Sequence, residues 1–224
     1  MGVRPIPIDR ILTTHNHWID AESREMWIHG MYIPESDMLD VGEPGVEYMM
    51  VTTVIKNLHL LRKQSSRAAV TIHMHCCGGD WSEGMAIYDA ISLMPYHVTI
   101  ISYTHARSMS SIILQAADKR LMMPNSYFMF HLGDYGIEGD VRSVYSNMEF
   151  DKRTDETMLD IYVESAKEGE KFKNWEDDKI REHLNSCLEK KADVFLTAEE
   201  AVQWGFADGI LEQWPRHASW TKRS

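Results

Sequence analysis

The sequence predicts an α/β fold on a mainly parallel sheet, and three features of its 224 residues carry that expectation. Short apolar runs of strand length alternate with segments of helical period, the arrangement that βαβ crossovers produce. Several of those runs stop at a glycine, a serine or a histidine, residue types that serve a site better than a core. No internal repeat or low-complexity tract breaks the alternation. At this length one good core, and so one domain, is the expectation.

Residues 1–25, with Pro5, Pro7 and the polar run Thr13-Thr14-His15-Asn16-His17, read as an extended arm. A first strand is expected over Met26–Tyr32, ended by Ile33-Pro34. From Gly45 to Lys63 the apolar positions Val46, Met49, Met50, Val54, Leu58 and Leu61 recur at helical spacing, after a start at Glu43-Pro44. Ala69–Met74 reads as a buried strand running into Gly78-Gly79. Asp80 then opens a helix with Met85, Ile87, Tyr88, Ile91 and Leu93 on one broad face. The pattern repeats, with His97–Ser102 as strand, Ala106–Met109 as turn and Ser110–Ala117 as a short helix. After the turn Pro124-Asn125-Ser126, Phe128–His131 is a further strand ending in a histidine. Two longer helices are predicted over Asp140–Lys167 and Glu176–Lys190. Thr197-Ala198-Glu199-Glu200 is a capping box for a helix that Gly205 closes, before a last strand over Phe206–Leu211 and a tail over 213–224.

Composition narrows the function classes. A balance of 44% apolar and 25% charged residues is that of an ordinary soluble globule. No apolar run is long enough to cross a membrane, and the opening Met1-Gly2-Val3-Arg4-Pro5-Ile6-Pro7 lacks the apolar stretch of a secretory leader. Ile6 stands where a myristoylation signal needs Ser or Thr. Cytoplasmic residence and no membrane partner are the expectation. Cys76 and Cys77 are adjacent and Cys187 is distant, so there is no disulfide framework, which fits a reducing compartment. A formal charge of -11, from 34 acidic and 23 basic residues, repels phosphate backbones and argues against nucleic acid.

In open parallel sheets ligands bind beyond the carboxyl ends of the strands. Gly79, Ser108 and His131 all fall at such ends. A glycine turn can offer backbone N–H groups to an oxyanion, a serine can attack, and an imidazole can take its proton. Taken singly, Ser108 is a plain helix N-cap and His131 a core histidine satisfied by a carbonyl. Their combination with a carboxylate is what points to catalysis. Asp193 is the expected acid, because apolar residues flank it and it precedes the capping-box helix. The rival, Glu189, sits in the pattern Leu188-Glu189-Lys190-Lys191 and reads as a solvated helical charge.

The order Ser, His, Asp matches neither chymotrypsin, subtilisin nor the α/β-hydrolases, and there is no G-x-S-x-G sequence. The chain instead resembles the Clp protease proteolytic subunit, a serine peptidase family of the ClpP/crotonase fold. The resemblance rests on Gly78-Gly79, Gly84-Met85-Ala86-Ile87-Tyr88-Asp89, Arg107-Ser108-Met109, Pro124-Asn125-Ser126 leading to Phe130-His131, Phe195-Leu196-Thr197-Ala198-Glu199-Glu200-Ala201 and Gly205-Phe206-Ala207-Asp208. It covers roughly residues 26 to 212. It implies repeated ββα-type units and a long handle helix over about 133–168. It also implies Ser108 as nucleophile, His131 as base, Asp193 as orienting acid and the N–H groups of Gly79 and Met109 as the oxyanion hole. The partners implied are other copies of the chain, in a heptameric or double-heptameric ring, and peptides or unfolded polypeptides as substrates.

Departures from the family pattern are specific. Cys77 replaces a proline before the glycine pair, and Arg107 and Ser110 replace small residues around Ser108-Met109. Ala192 stands where the family has a ring-stacking arginine, whose polar partner on a handle strand corresponds to Asp140. At positions facing an AAA+ unfoldase, Thr71 and His73 are not apolar, whereas Leu93, Leu121 and Leu211 are. Partnership with such an ATPase is left open, and the arm lacks the family's gate sequence and the short helix after it. Divergence of this kind resembles phage-encoded members, some of them similar to capsid-maturation proteases.

Other chemistries fit less well. His73 and His75 beside Cys76-Cys77 have no zinc-finger spacing and are too close in sequence to close a tetrahedron alone, so strand packing is expected and neither metal nor cofactor is called for. His15-Asn16-His17 matches a nuclease motif in letters only. The 15 methionines read as adaptable core filler. A crotonase-type acyl-CoA hydratase or isomerase would need loop glutamates and a basic adenine site, and neither stands out. A non-catalytic ring subunit would have no use for an intact Ser, His, Asp set.

Overall fold

A computed structural model of the chain describes residues 5–30, 45–133 and 136–212. The sheet has eight strands: β1 (Ile19–Asp20), β2 (Glu25–His29), β3 (Val70–Cys76), β4 (Val98–Arg107), β5 (Lys119–Met122), β6 (Tyr127–Phe130), β7 (Val194–Thr197) and β8 (Gly209–Ile210). Their order is β1-β2-β3-β4-β5-β8, and all pairings within it are parallel except β1 with β2. The ten-residue β4 changes partner along its length. Thr99–Ser102 pairs with β5, and His105–Arg107 pairs with β6, which in turn carries β7 antiparallel. That switch opens the sheet at the carboxyl end of β4, where a ligand site is expected.

Seven helices cover the sheet among the described residues: α1 (Ile8–His17), α2 (Tyr48–Gln64), α3 (Trp81–Ser92), α4 (Met109–Gln115), α5 (Val141–Ala166), α6 (Asp177–Lys190) and α7 (Ala198–Gln203). The core forms where Ile72 and Met74 of β3 and Ile100 of β4 meet Val54 and Leu58 of α2, Ile87 of α3 and Ile113 of α4, all fully buried. At the other end of the fold, Phe128 and Phe130 of β6 pack with Tyr162 of α5 and Phe206. Arg120 of β5 staples this region. Its guanidinium reaches Asp208, Glu168, Gln115 and the Gly205 carbonyl, and its N–H donates to Asp208.

The arm departs from expectation. Instead of running extended, it holds α1 and the edge strand β1. Pro7 sits at the N-cap of α1 with φ -58, a place where its missing N–H costs nothing. Arg10 pairs with Asp20 and Asn57 Nδ2 donates to the His17 carbonyl at 2.7 Å, so α1 is tethered on both sides. The short helix that the arm was expected to lack is therefore present. Asp140 is likewise no handle-strand residue. It N-caps α5, its Oδ1 accepting from Arg142 N–H at 2.9 Å.

Elsewhere the elements stand close to their expected places. The predicted turn at Ala106–Met109 is a continuation of β4 through Arg107, followed by a one-residue elbow. β5 and β7 had no expected counterpart, because Lys119-Arg120 masks one and the capping box overlaps the other. The final strand is only Gly209–Ile210. The capping box at Thr197 and Glu200 is formed in both directions. The end of the first strand at Ile33-Pro34, the α2 start at Glu43-Pro44 and the tail at 213–224 lie outside the described residues. α2 is instead N-capped by Glu47, which accepts from Met49 and Met50 N–H, each at 2.8 Å.

Candidate active site

The site is assembled at three chain segments around the end of β4. The first is Cys77-Gly78-Gly79, between β3 and the Asp80 N-cap of α3. It is pinned by Val46, whose N–H donates to Gly78 O at 2.5 Å and whose carbonyl accepts from Asp80 N–H at 3.0 Å. Gly78 and Gly79 adopt φ of 105 and 143, a region that other residues avoid. A Cβ on Gly78 would stand 2.7 Å from Ser108 Cβ, so this glycine lets the turn lie directly against the serine.

Ser108 is the elbow between β4 and α4. Its backbone, at φ 51 and ψ -132, is strained for a residue with a side chain, at a cost of order 1–3 kcal/mol. Hydrogen bonds hold it there. Its N–H donates to Met129 O at 3.0 Å. Ser110 Oγ accepts from Arg107 N–H at 3.0 Å and donates to Arg107 O at 2.8 Å. Ser111 Oγ donates to Ser108 O at 2.6 Å and, having spent its proton there, accepts from the Tyr162 hydroxyl at 2.7 Å. Ser110, Ser111 and Tyr162 are buried, and burial pushes the Tyr162 phenol well above its ordinary pKa against the opposing hydrogen bond with Ser111. Met109 is the first residue of α4, so its N–H belongs to the amino-terminal donors that have no partner within the helix.

His131 directly follows β6, and Asp193 directly precedes β7. The antiparallel register Phe130↔Val194 places them opposite one another. His131 Nε2 lies 2.8 Å from Ser108 Oγ, and Nδ1 lies 3.2 Å from Asp193 Oδ1. The imidazole is largely sheltered, at 19% exposure, whereas Asp193 is 46% exposed and keeps part of its hydration. Glu189, the rival acid, is an exposed residue of α6.

Two clefts meet at Ser108 and His131. One, of about 450 Å³, is walled by Gly79 and Met109 and by the α5 face carrying Asp151, Asp155 and Met158. The other, of about 560 Å³, is walled by Cys77, Arg107, Leu188 and Asp193. Every residue that the sequence nominated for the site therefore lies in one constellation. His73, by contrast, stacks on Trp27 at 5.0 Å and hydrogen-bonds Tyr103, and no group of metal-binding side chains occurs among the described residues. Missed by sequence reasoning were Gly78 as the surface on which the elbow rests and the support from Met129, Ser110, Ser111 and Tyr162. The signal available for Ser110 and Ser111 was their standing as a pair of serines inside an otherwise apolar helix; nothing local marked Tyr162.

A family model for Clp protease matches residues 33–214. The ATP-dependent Clp protease proteolytic subunit of Deinococcus radiodurans is 30% identical over 175 residues, which cover 77% of this chain and 79% of that one. The ATP-dependent Clp protease proteolytic subunit 1 of Streptomyces avermitilis is 29% identical over 172 residues, covering 75% and 72% respectively. With the mainly parallel α/β sheet, these matches establish that the chain belongs to the Clp protease family.

Proposed function

We propose that the chain is a serine endopeptidase whose triad is Ser108, His131 and Asp193. The observation that carries the reading is the pair of contacts at His131, with Nε2 2.8 Å from the serine hydroxyl and Nδ1 3.2 Å from the carboxylate. Ser108 Oγ forms a bond to the peptide carbonyl carbon while its proton passes to His131 Nε2. The carbonyl oxygen takes the negative charge and is held by the N–H groups of Gly79 and Met109. Collapse breaks the C–N bond, and His131 returns the proton to the leaving amine. Water, deprotonated by the same imidazole, then bonds to the acyl carbon, and the ester C–O bond breaks as His131 returns that proton to Ser108 Oγ. Asp193 fixes the Nδ1–H tautomer and stabilises the imidazolium.

Family membership supports the reaction class, and the two relatives are named as proteolytic subunits. In this reading the peptidase domain spans about 26–212, with its handle over about 133–168. Self-association into a ring, heptameric or doubly so, is supported by exposed Val141, Tyr145 and Phe150 along the first half of α5, which are poor solvent-facing residues. Peptides or unfolded polypeptides cleaved inside such a chamber are the proposed substrates. Both relatives are named ATP-dependent. For this chain, exposed Leu93 supports an AAA+ docking surface, while buried Thr71 and His73 do not. No helix among the described residues is long and apolar enough to cross a membrane. The thiols of Cys76, Cys77 and Cys187 support a reducing, cytoplasmic setting.

The test is labelling of the purified full chain by a fluorophosphonate, with native mass measurement in parallel. Modification of Ser108 in wild type and its loss in Ser108→Ala are the expected results. An assembled protein that neither labels nor cleaves a peptide panel would sink the reading.

A further inference from the structure

We propose that the cleft on the acyl side selects a basic side chain, so that cleavage follows Lys or Arg. The inference rests on the peptidase reading above and names its substrate class.

The direction of the substrate comes from which groups wall which cleft. Ser108 and His131 border both. Gly79 and Met109, the proposed oxyanion donors, border only the smaller one, and Asp193 borders only the larger. A carbonyl oxygen held by Gly79 and Met109 therefore places its own residue, the one before the scissile bond, in the smaller cleft. The leaving amine runs out past His131 into the larger.

The smaller cleft suits a long side chain with a cationic head. Its depth is apolar, formed by Met109, Ile112 and Met158, of which each is at most 4% exposed. Asp151, Asp155 and Met158 stand at positions i, i+4 and i+7 of α5, so the carboxylates are one turn apart on a single face. Both aspartates are half-buried, and Asp80 adds a third negative charge at the start of α3. No Lys or Arg among the described residues walls this cleft, and none pairs with Asp151. The aliphatic stem of Lys or Arg would cover the methionines while its head meets the carboxylates. A leucine would fill the same depth but strip water from Asp151 without replacing it. A glutamate would bring like charges together. The larger cleft carries both Arg107 and Asp193 on its wall, so it sets no such preference of sign.

The experiment compares kcat/KM for fluorogenic peptides that differ only in the residue before the scissile bond, namely Lys, Arg, Leu, Met and Glu. Lys and Arg should exceed Leu and Met by about tenfold or more, the effect of one well-placed charge pair, and Glu should be the poorest. In the full-length double variant Asp151→Asn, Asp155→Asn, the Lys-to-Leu ratio should fall by about tenfold. Fluorophosphonate labelling of Ser108 is scored on both proteins. Labelled protein that prefers Leu or Met, or whose Lys-to-Leu ratio is the same in the double variant, overturns the inference and leaves the peptidase reading intact. Failure to label wild-type Ser108 overturns both.

Discussion

The backbone N–H of Ser108 donates to the carbonyl of Met129 at 3.0 Å, one step beyond the parallel pair Arg107↔Met129. This bond carries the sheet's register into the site. Two residues past Met129 stands His131, which the pairing of β6 with β7 sets opposite Asp193. Three groups far apart in sequence are thus placed by one continuous ladder. What the ladder cannot do is hold Ser108 at positive φ, and the hydroxyls of Ser110, Ser111 and Tyr162 supply that constraint from beneath.

Removing that support should slow chemistry more than binding. Ser111→Ala leaves the buried Tyr162 hydroxyl without its partner and takes one of two donors from the Ser108 carbonyl, which keeps the Ser111 N–H, at about 1–3 kcal/mol of stability. Tyr162→Phe removes one donor only, for about 1 kcal/mol. Peptide hydrolysis should show kcat reduced and KM little changed in both, with the serine variant the more affected. An unchanged kcat in Ser111→Ala would mean that the elbow holds itself.

Gly78→Ala tests the packing of the two turns. The new methyl would approach Ser108 Cβ to 2.7 Å and both Arg107 O and Met109 N to 2.9 Å, at a φ of 105. The elbow must move, and the rate of fluorophosphonate labelling should fall by about tenfold or more, as sub-ångström misplacement of a nucleophile does. Gly136→Ala, where nothing lies within 4 Å, is the control and should label at the wild-type rate.

These outcomes bear on what the sequence could and could not reveal. Ser108 and His131 were legible because each sits at a strand end, which is visible in composition, and Asp193 because apolar residues flank it ahead of the capping box. Their geometry was not. The pairing that sets His131 against Asp193 depends on β7, whose four residues Val194–Thr197 overlap a capping-box signature and look like a helix start. α1 was hidden for a related reason, since Pro5 and Pro7 suggest irregular chain although Pro7 precedes the helix without interrupting it. Its partners Asp20 and Asn57 are tertiary, and local pattern carries no trace of them.

Asp193→Asn should retain the fold and lose most of the rate. The amide would present the wrong partner to Nδ1–H and could not stabilise an imidazolium, so kcat should drop by about 10²-fold or more, with KM little altered. The 46% exposure of Asp193 allows water to replace part of its effect, which places the expectation below that for a buried acid. Retention of full activity would remove Asp193 from the triad.

Arg120 is the position at which a single change should most damage the fold outside the site. Its guanidinium is 7% exposed and meets Asp208 at 2.6 Å and Glu168 at 2.7 Å, tying β5 to the end of α5 and the turn before β8. Arg120→Met keeps the stem and removes the charge, leaving Asp208 partly buried and unpaired. Chemical denaturation should register a loss on the order of 3 kcal/mol. Asp208→Asn in the Arg120→Met background should recover part of it, because the stranded charge is then gone.

His183 supplies a pH dependence of stability. Its ring lies 5.5 Å from Phe172, 5.5 Å from Trp175 and 5.4 Å from Trp204, between centroids. Burial, followed by the positive charges of Lys171 and Lys190, holds its pKa below the ordinary 6.5. The folded state therefore binds the proton less well than the unfolded chain does. The stability this contributes is complete above the unfolded value and is lost as pH falls through the folded one. Thermal midpoints measured from roughly pH 8 down to pH 5 should decline more steeply in wild type than in His183→Gln, which has no proton to gain. Parallel curves for the two proteins would assign the acid sensitivity to other groups.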